Sequence, residues 1–117
     1  MKKILIINND FETMTLLQSW LENKKYHAKL WGNHDNVLEM IGEYQPDLVI
    51  ADILQHQAVR TIKAHTVFAT IPILLMSGYT KGNEGVVLDI DDVIEKPFNL
   101  PLLEKKIGNL LNKSRRA

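Results

Sequence analysis

Three stretches of the chain run apolar almost without a break: Lys3–Asn8 after its opening lysine, Leu48–Asp52 up to its aspartate, and Ile73–Ser77 up to its serine. Short continuous runs of this kind suit strands buried on both faces, as in a parallel sheet with helices on either side. Two weaker strand signals accompany them. Tyr26, Ala28 and Leu30 alternate over Tyr26–Leu30, and Val93 and Ile94 centre a short run over Asp92–Glu95. Between the strands the period changes to that of a helix. Phe11, Met14, Leu17, Trp20 and Leu21 share one stripe, with Asp10 placed to cap the first turn. Val37, Leu38, Ile41 and Tyr44 repeat the pattern, closed off before Pro46. A weaker helix is expected from about Ala58 to Ala64. The last helix is the clearest, with Asn99 as cap, Pro101 in the tolerant first turn, and Leu103, Ile107, Leu110 and Leu111 on one stripe.

One interval breaks this rhythm. "GYTKGNEGVVLDID" follows Ser77 with three glycines and little periodicity. Each interior glycine costs a helix roughly 1 kcal/mol relative to alanine, so a helix there should be short or degraded. Gly78–Ile90 is accordingly expected to be the most mobile ordered part of the domain, or to have lost its helix altogether. The alternation of strands and helices predicts an α/β domain with a central parallel sheet and right-handed crossovers. Sites in such sheets lie at the carboxyl ends of the strands. The candidates are therefore Asn8, Asn9 and Asp10 after the first strand, Asp52 after the third, Ser77 after the fourth and Lys96 after the fifth.

Composition narrows the picture. A chain of 117 residues fits a single domain, 1–117, with "KSRRA" at 113–117 as a basic solvated tail. Lys+Arg 14 against Asp+Glu 14 gives no field that would favour nucleic acid or an anionic membrane. Cys 0 excludes disulfides, thiol chemistry and cysteine metal sites. The apolar part of "MKKILII" stops at Asn8, too short for a signal peptide, and nothing later approaches a membrane span, so a cytoplasmic location is expected. His27, His34, His56 and His65 show no ligand spacing, and His56 is expected in a solvated loop.

Taken together and in order, "KKILIINND", "PDLVIAD", "IPILLMSG" and "DDVIEKPF" resemble the four signatures of response-regulator receiver domains. The resemblance covers nearly the whole chain. It implies a flavodoxin-like (βα)5 three-layer sandwich with a five-stranded parallel sheet of order 2-1-3-4-5. It also implies that Asp52 is the phosphoacceptor, that Ser77 offers a hydroxyl to the phosphoryl group, and that Lys96 pairs with phosphoryl oxygens. The Lys96–Pro97 bond would be cis. The chemistry is intelligible in its own right, because a carboxylate that attacks phosphorus in line needs a cation and positioned donors for the growing charge. The implied partners are a sensor histidine kinase or phosphotransfer protein and a downstream protein, with the chain a monomer or weak homodimer and not an enzyme. No output domain accompanies the motifs, so a single-domain regulator or a fragment is expected.

The departures from the family pattern matter as much. Its acidic, magnesium-holding pair aligns with Asn8 and Asn9. A metal site built on Asn9 and Asp52 would be weak at best, and Asp10 is read as a helix cap. Gln55 and His56 replace the usual Met-Pro, the stretch from Asp52 to Ser77 is short, and Val93 occupies a switch position that commonly carries an aromatic. Asp89, Asp91 and Asp92 form an acidic knot read as structural. With one carboxylate left beside one lysine, Asp52 and Lys96 should pair directly at rest. Two mechanisms compete: a phosphorelay through Asp52, and a pseudo-receiver that binds a protein partner without phosphate. A flavin or nucleotide enzyme on the same fold is unsupported, since no Gly-rich phosphate loop follows the first strand.

Overall fold

The computed structural model describes residues 1–8, 10–32, 36–77, 90–96 and 99–114. Five strands, β1 (Lys3–Ile7), β2 (His27–Trp31), β3 (Leu48–Asp52), β4 (Ile73–Ser77) and β5 (Asp92–Glu95), form one parallel sheet in the order β2-β1-β3-β4-β5. Four helices are described: α1 (Phe11–Asn23), α2 (Val37–Tyr44), α3 (His56–Lys63) and α4 (Leu100–Ser114). Short 3-10 turns occupy Ile53–Gln55 and Phe68–Thr70.

Alternation along the strands divides the apolar side chains between two layers. Ile4, Ile6, Ile50, Leu74, Met76 and Ile94 face α1 and α4. Leu5, Ile7, Val49, Ala51, Ile73 and Leu75 face α2 and α3. Each strand therefore needs apolar residues at consecutive positions, which is why β1, β3 and β4 read as continuous runs. Full burial of a side chain such as Ile or Leu contributes about 1.5–3 kcal/mol, so these two layers supply the main driving force for the fold.

The amino-terminal edge of the sheet is closed by two aspartates that act alike. Asp47, just before β3, accepts the Lys3 backbone N–H at 2.8 Å, while its own N–H donates to the Lys3 carbonyl at 2.7 Å. Asp91, just before β5, accepts the Ile73 N–H at 2.7 Å and donates its N–H to the Ile73 carbonyl at 3.1 Å. Lys63 Nζ joins Asp91 at 3.0 Å and also donates to the carbonyls of Ala69 and Ile71. Asp92 pairs with Lys106 of α4 at 3.1 Å. Asp91 and Asp92 thus have structural roles, as expected; Asp89 lies outside the described residues.

Several boundaries differ from expectation. β1 ends at Ile7, leaving Asn8 as the first residue beyond it, and β2 sits one residue later than the alternation suggested. α3 begins at His56 rather than Ala58, because the 3-10 turn over Ile53–Gln55 turns the chain immediately after Asp52. α4 continues to Ser114, inside the expected tail at 113–117, since nothing in "LLNKS" breaks a helix. Expectations for the glycine-rich segment and for a degraded fourth helix fall on 78–89, outside the described residues. Among the described residues no helix is long and apolar enough to cross a membrane.

Candidate functional site

Asp52 ends β3 and is 4% exposed. Its backbone is in register with Met76 of β4, and the pairing of Ile7 with Ala51 makes Asn8 its neighbour on the β1 side. Both carboxylate oxygens are engaged. Oδ1 accepts the Leu54 N–H at 2.9 Å, capping the 3-10 turn, and Oδ2 is paired with Lys96 Nζ. Lys96 follows β5 and is held by its backbone N–H, which donates to the Ser77 carbonyl at 2.7 Å. The structure therefore brings Asp52 and Lys96 into direct contact, the mutual neutralisation that a lone buried carboxylate beside a lysine favours. Ser77 joins them through its backbone. It is half-buried at the end of β4, and strand alternation turns its side chain to the face opposite Met76.

Asn8 is also 4% exposed. Its N–H continues the ladder to the Trp31 carbonyl at 3.3 Å, and its Oδ1 accepts the Asp10 N–H at 2.9 Å. Its Nδ2 is buried without a partner. Asp10 caps α1, taking the Thr13 hydroxyl at 2.6 Å and the Thr13 N–H at 3.4 Å. Those two bonds, and more weakly the Glu12 amide and the Lys96 charge, hold its carboxyl below the usual range. Asn9, and the Lys96–Pro97 bond through Pro97, lie outside the described residues.

Magnesium demands near-octahedral oxygen ligands and prefers charged ones. Among the described residues the side-chain oxygens at these strand ends each already accept a hydrogen bond or ion pair, Asp52 from Lys96 and Leu54, Asp10 from Thr13 and Asn8 from Asp10, and the one unpartnered oxygen nearby, Gln55 Oε1, is neutral. No group of three His, Asp or Glu side chains that could hold a metal occurs among them. What Asn8 leaves over is an amide N–H, whose positive end repels a cation. The described residues do not fit a magnesium ion.

Two side chains here were not anticipated. Gln55 is 2% exposed with Oε1 buried and unpartnered, and His56 is half-buried with Nδ1 likewise unpartnered. His56 is thus not the solvated loop residue expected from sequence. The Asp52 cap folds the chain at once into the turn and then α3, carrying both side chains inward. The signal available was Asp52 itself, since an aspartate that accepts a backbone N–H two residues on starts such a turn. Val93, on edge strand β5, is 40% exposed.

These features fit what comparison with other proteins finds. The chain is 29% identical over 120 residues to the 3',5'-cyclic-nucleotide phosphodiesterase regA of Dictyostelium discoideum, covering 93% of this chain and 15% of that protein. It is 29% identical over 123 residues to the transcriptional regulatory protein YxdJ of Bacillus subtilis, covering 97% of this chain and 52% of that one. The chain thus spans about half or less of these relatives. Its fold matches the signal receiver domain of a signal transduction histidine kinase from Syntrophus aciditrophicus with a TM-score of 0.90, at 23% identity, over 100% of this chain and 95% of that one. Residues 4–108 match the response regulator receiver domain, so the chain, with its 2-1-3-4-5 sheet and its Asp52–Lys96 pair, belongs to the receiver family of two-component signalling.

Proposed function

We propose that the chain is a phosphoacceptor receiver in which Asp52 takes a phosphoryl group from a sensor histidine kinase or phosphotransfer protein and signals through altered binding to a downstream protein. The observation that carries this reading is the buried Asp52 carboxylate, held at the end of β3 with Lys96 as its counter-ion. In the transfer an Asp52 oxygen attacks phosphorus in line. The bond from phosphorus to the donor imidazole breaks, and the imidazole leaves with the electron pair. Lys96 then faces a phosphoryl group of charge near −2 in place of a single carboxylate charge. The Lys96 backbone N–H donates to the Ser77 carbonyl, so a shift of Lys96 is coupled to the end of β4. The role is that of a relay rather than of an enzyme acting on an outside substrate. Magnesium binding is weak in this reading, because the site offers it no free carboxylate.

A second reading, a pseudo-receiver that binds its partner without phosphate, draws support from the amides in place of the acidic pair. Incubation of the whole chain with a small acyl phosphate and magnesium, followed by intact mass, separates the two. A single phosphoryl adduct that disappears in Asp52→Asn supports the relay; no adduct after prolonged incubation supports the pseudo-receiver.

A further inference from the structure

The side-chain amide of Asn8 is fixed in one orientation by its surroundings. Oδ1 accepts the Asp10 N–H at 2.9 Å, and flipping the amide would set N–H against N–H, so Nδ2 must be the atom that points elsewhere. It is a buried donor with no acceptor. Its location follows from the register. Ile7 pairs with Ala51, so Asn8 and Asp52 stand side by side on strands about 4.8 Å apart. Ile6 and Ile50 belong to the same core layer, so alternation sends the Asn8 and Asp52 side chains to the same face of the sheet. The resting site therefore puts the residue with the unused N–H donor beside the one whose carboxylate is already neutralised by Lys96, on the same face of the sheet. The amide N–H offers a cation nothing, and the carboxylate's charge is already met by Lys96. The N–H and the ammonium both suit an oxyanion attached to Asp52.

From this we infer that the site binds its phosphoryl group without a metal, with Asn8 Nδ2 donating to a phosphoryl oxygen while Lys96 pairs with another. The inference rests on Asp52 being the acceptor and deepens that reading. The amide has no partner before transfer and gains one as the phosphoryl group arrives. It is thus a contact made in the product and transition state but not in the resting protein, the kind that speeds a reaction. With acetyl phosphate as donor the step balances without a cation. An Asp52 oxygen forms the new bond to phosphorus, the bond from phosphorus to the acetyl oxygen breaks, and acetate departs with the pair.

The decisive variant is Asn8→Asp, which keeps an oxygen for the Asp10 N–H, exchanges the donor for an acceptor and sets a second negative charge beside Asp52. Labelling by acetyl phosphate, followed by intact mass, is run in excess EDTA and in millimolar magnesium. The unmodified chain is expected to label in EDTA within about threefold of its rate in magnesium, and Asn8→Asp to lose about tenfold or more in EDTA alone. In the ¹⁵N-labelled chain the Asn8 side-chain amide resonances should move as the adduct forms. Labelling of the unmodified chain that collapses in EDTA would overturn the inference. So would an Asn8→Asp chain that labels as fast as the unmodified one in EDTA, which would mean that the amide merely holds a water. If neither chain labels under any condition, the acceptor role of Asp52 fails. The oxyanion site is then judged by titrating inorganic phosphate into Asp52→Ala in EDTA: saturable shifts of the Asn8 side-chain amide support it, and their absence overturns it.

Discussion

The two ends of the sheet are built from the same residue types and treat them differently. At the amino-terminal end Asp47 and Asp91 each close a reciprocal pair of backbone hydrogen bonds, and Lys63 spends its ammonium on two carbonyls and a carboxylate. At the carboxyl-terminal end lie all three unpartnered buried side-chain atoms found among the described residues: Asn8 Nδ2, Gln55 Oε1 and His56 Nδ1. A buried group without a partner costs about 1–3 kcal/mol, so the second end is the less stable arrangement. Such a cost persists where a group is kept for something other than stability. The amino-terminal end fastens strands together, and the carboxyl-terminal end keeps buried polar atoms without partners.

The largest effect expected from this contrast is on stability at the fastened end. Asp91→Ala strands the Ile73 N–H and removes the carboxylate from Lys63, so urea unfolding should show a loss of about 2–3 kcal/mol. A loss near zero would break the contrast at once. The next concerns charge at the carboxyl-terminal end. A unit charge pair at about 4 Å is worth roughly 1–4 kcal/mol between effective dielectrics of 80 and 20, and a divalent ion doubles it. Asn8→Asp with Asn9→Asp should therefore raise magnesium affinity by at least about tenfold in a calorimetric titration, after the desolvation that takes part of the gain back. No change in affinity would mean that the amides do not set the limit.

A smaller effect of opposite sign tests the carboxyl-terminal end from within. Gln55→Met removes a buried acceptor that has no donor while keeping the side chain's length, and should leave stability unchanged or raise it by up to about 1 kcal/mol. A clear destabilisation would show that Gln55 is satisfied in solution and that the two ends are more alike than the structure suggests.

The smallest effect sharpens the picture of the fastened end. The Tyr44 hydroxyl lies 2.6 Å from His27 Nδ1 and donates to the His27 carbonyl at 3.1 Å. Burial first, then the charges of Asp47 and Glu22, push its phenol up to about 12. The neutral phenol is the form favoured by folding, so this contribution is complete below the ordinary value of 10 and is lost as pH rises from there towards 12. Ultraviolet titration should show one of the three tyrosines ionising last, and Tyr44→Phe should remove that late step. A late step that survives the substitution would assign it to another residue.

Much of this was legible in the sequence because burial on both faces leaves a mark that needs no neighbours to read. "ILII", "LVIA" and "ILLM" are continuous because each sheet face must meet a helix layer, and the helical stripes of α1, α2 and α4 follow from facing that sheet. The Asp10 and Asn99 caps were equally local, each side-chain oxygen meeting an amide a few residues on. The candidate site was legible as a set of strand ends, since a parallel sheet gathers them on one side. Its bonding was legible in one contact, the Asp52–Lys96 pair that a lone carboxylate beside a lysine implies even across 44 residues of chain. Which atom of Asn8 is left over depends on how the chain turns at Asp10, and the inward positions of Gln55 and His56 depend on the turn that Asp52 caps. Hydrophobic periodicity along the chain was enough to place the strands, and with them the side chains that gather at the carboxyl end of the sheet. Which polar atoms there are left without partners came only with the folded chain, because it depends on the local turns at Asp10 and Asp52 and on hydrogen-bond geometry between distant elements.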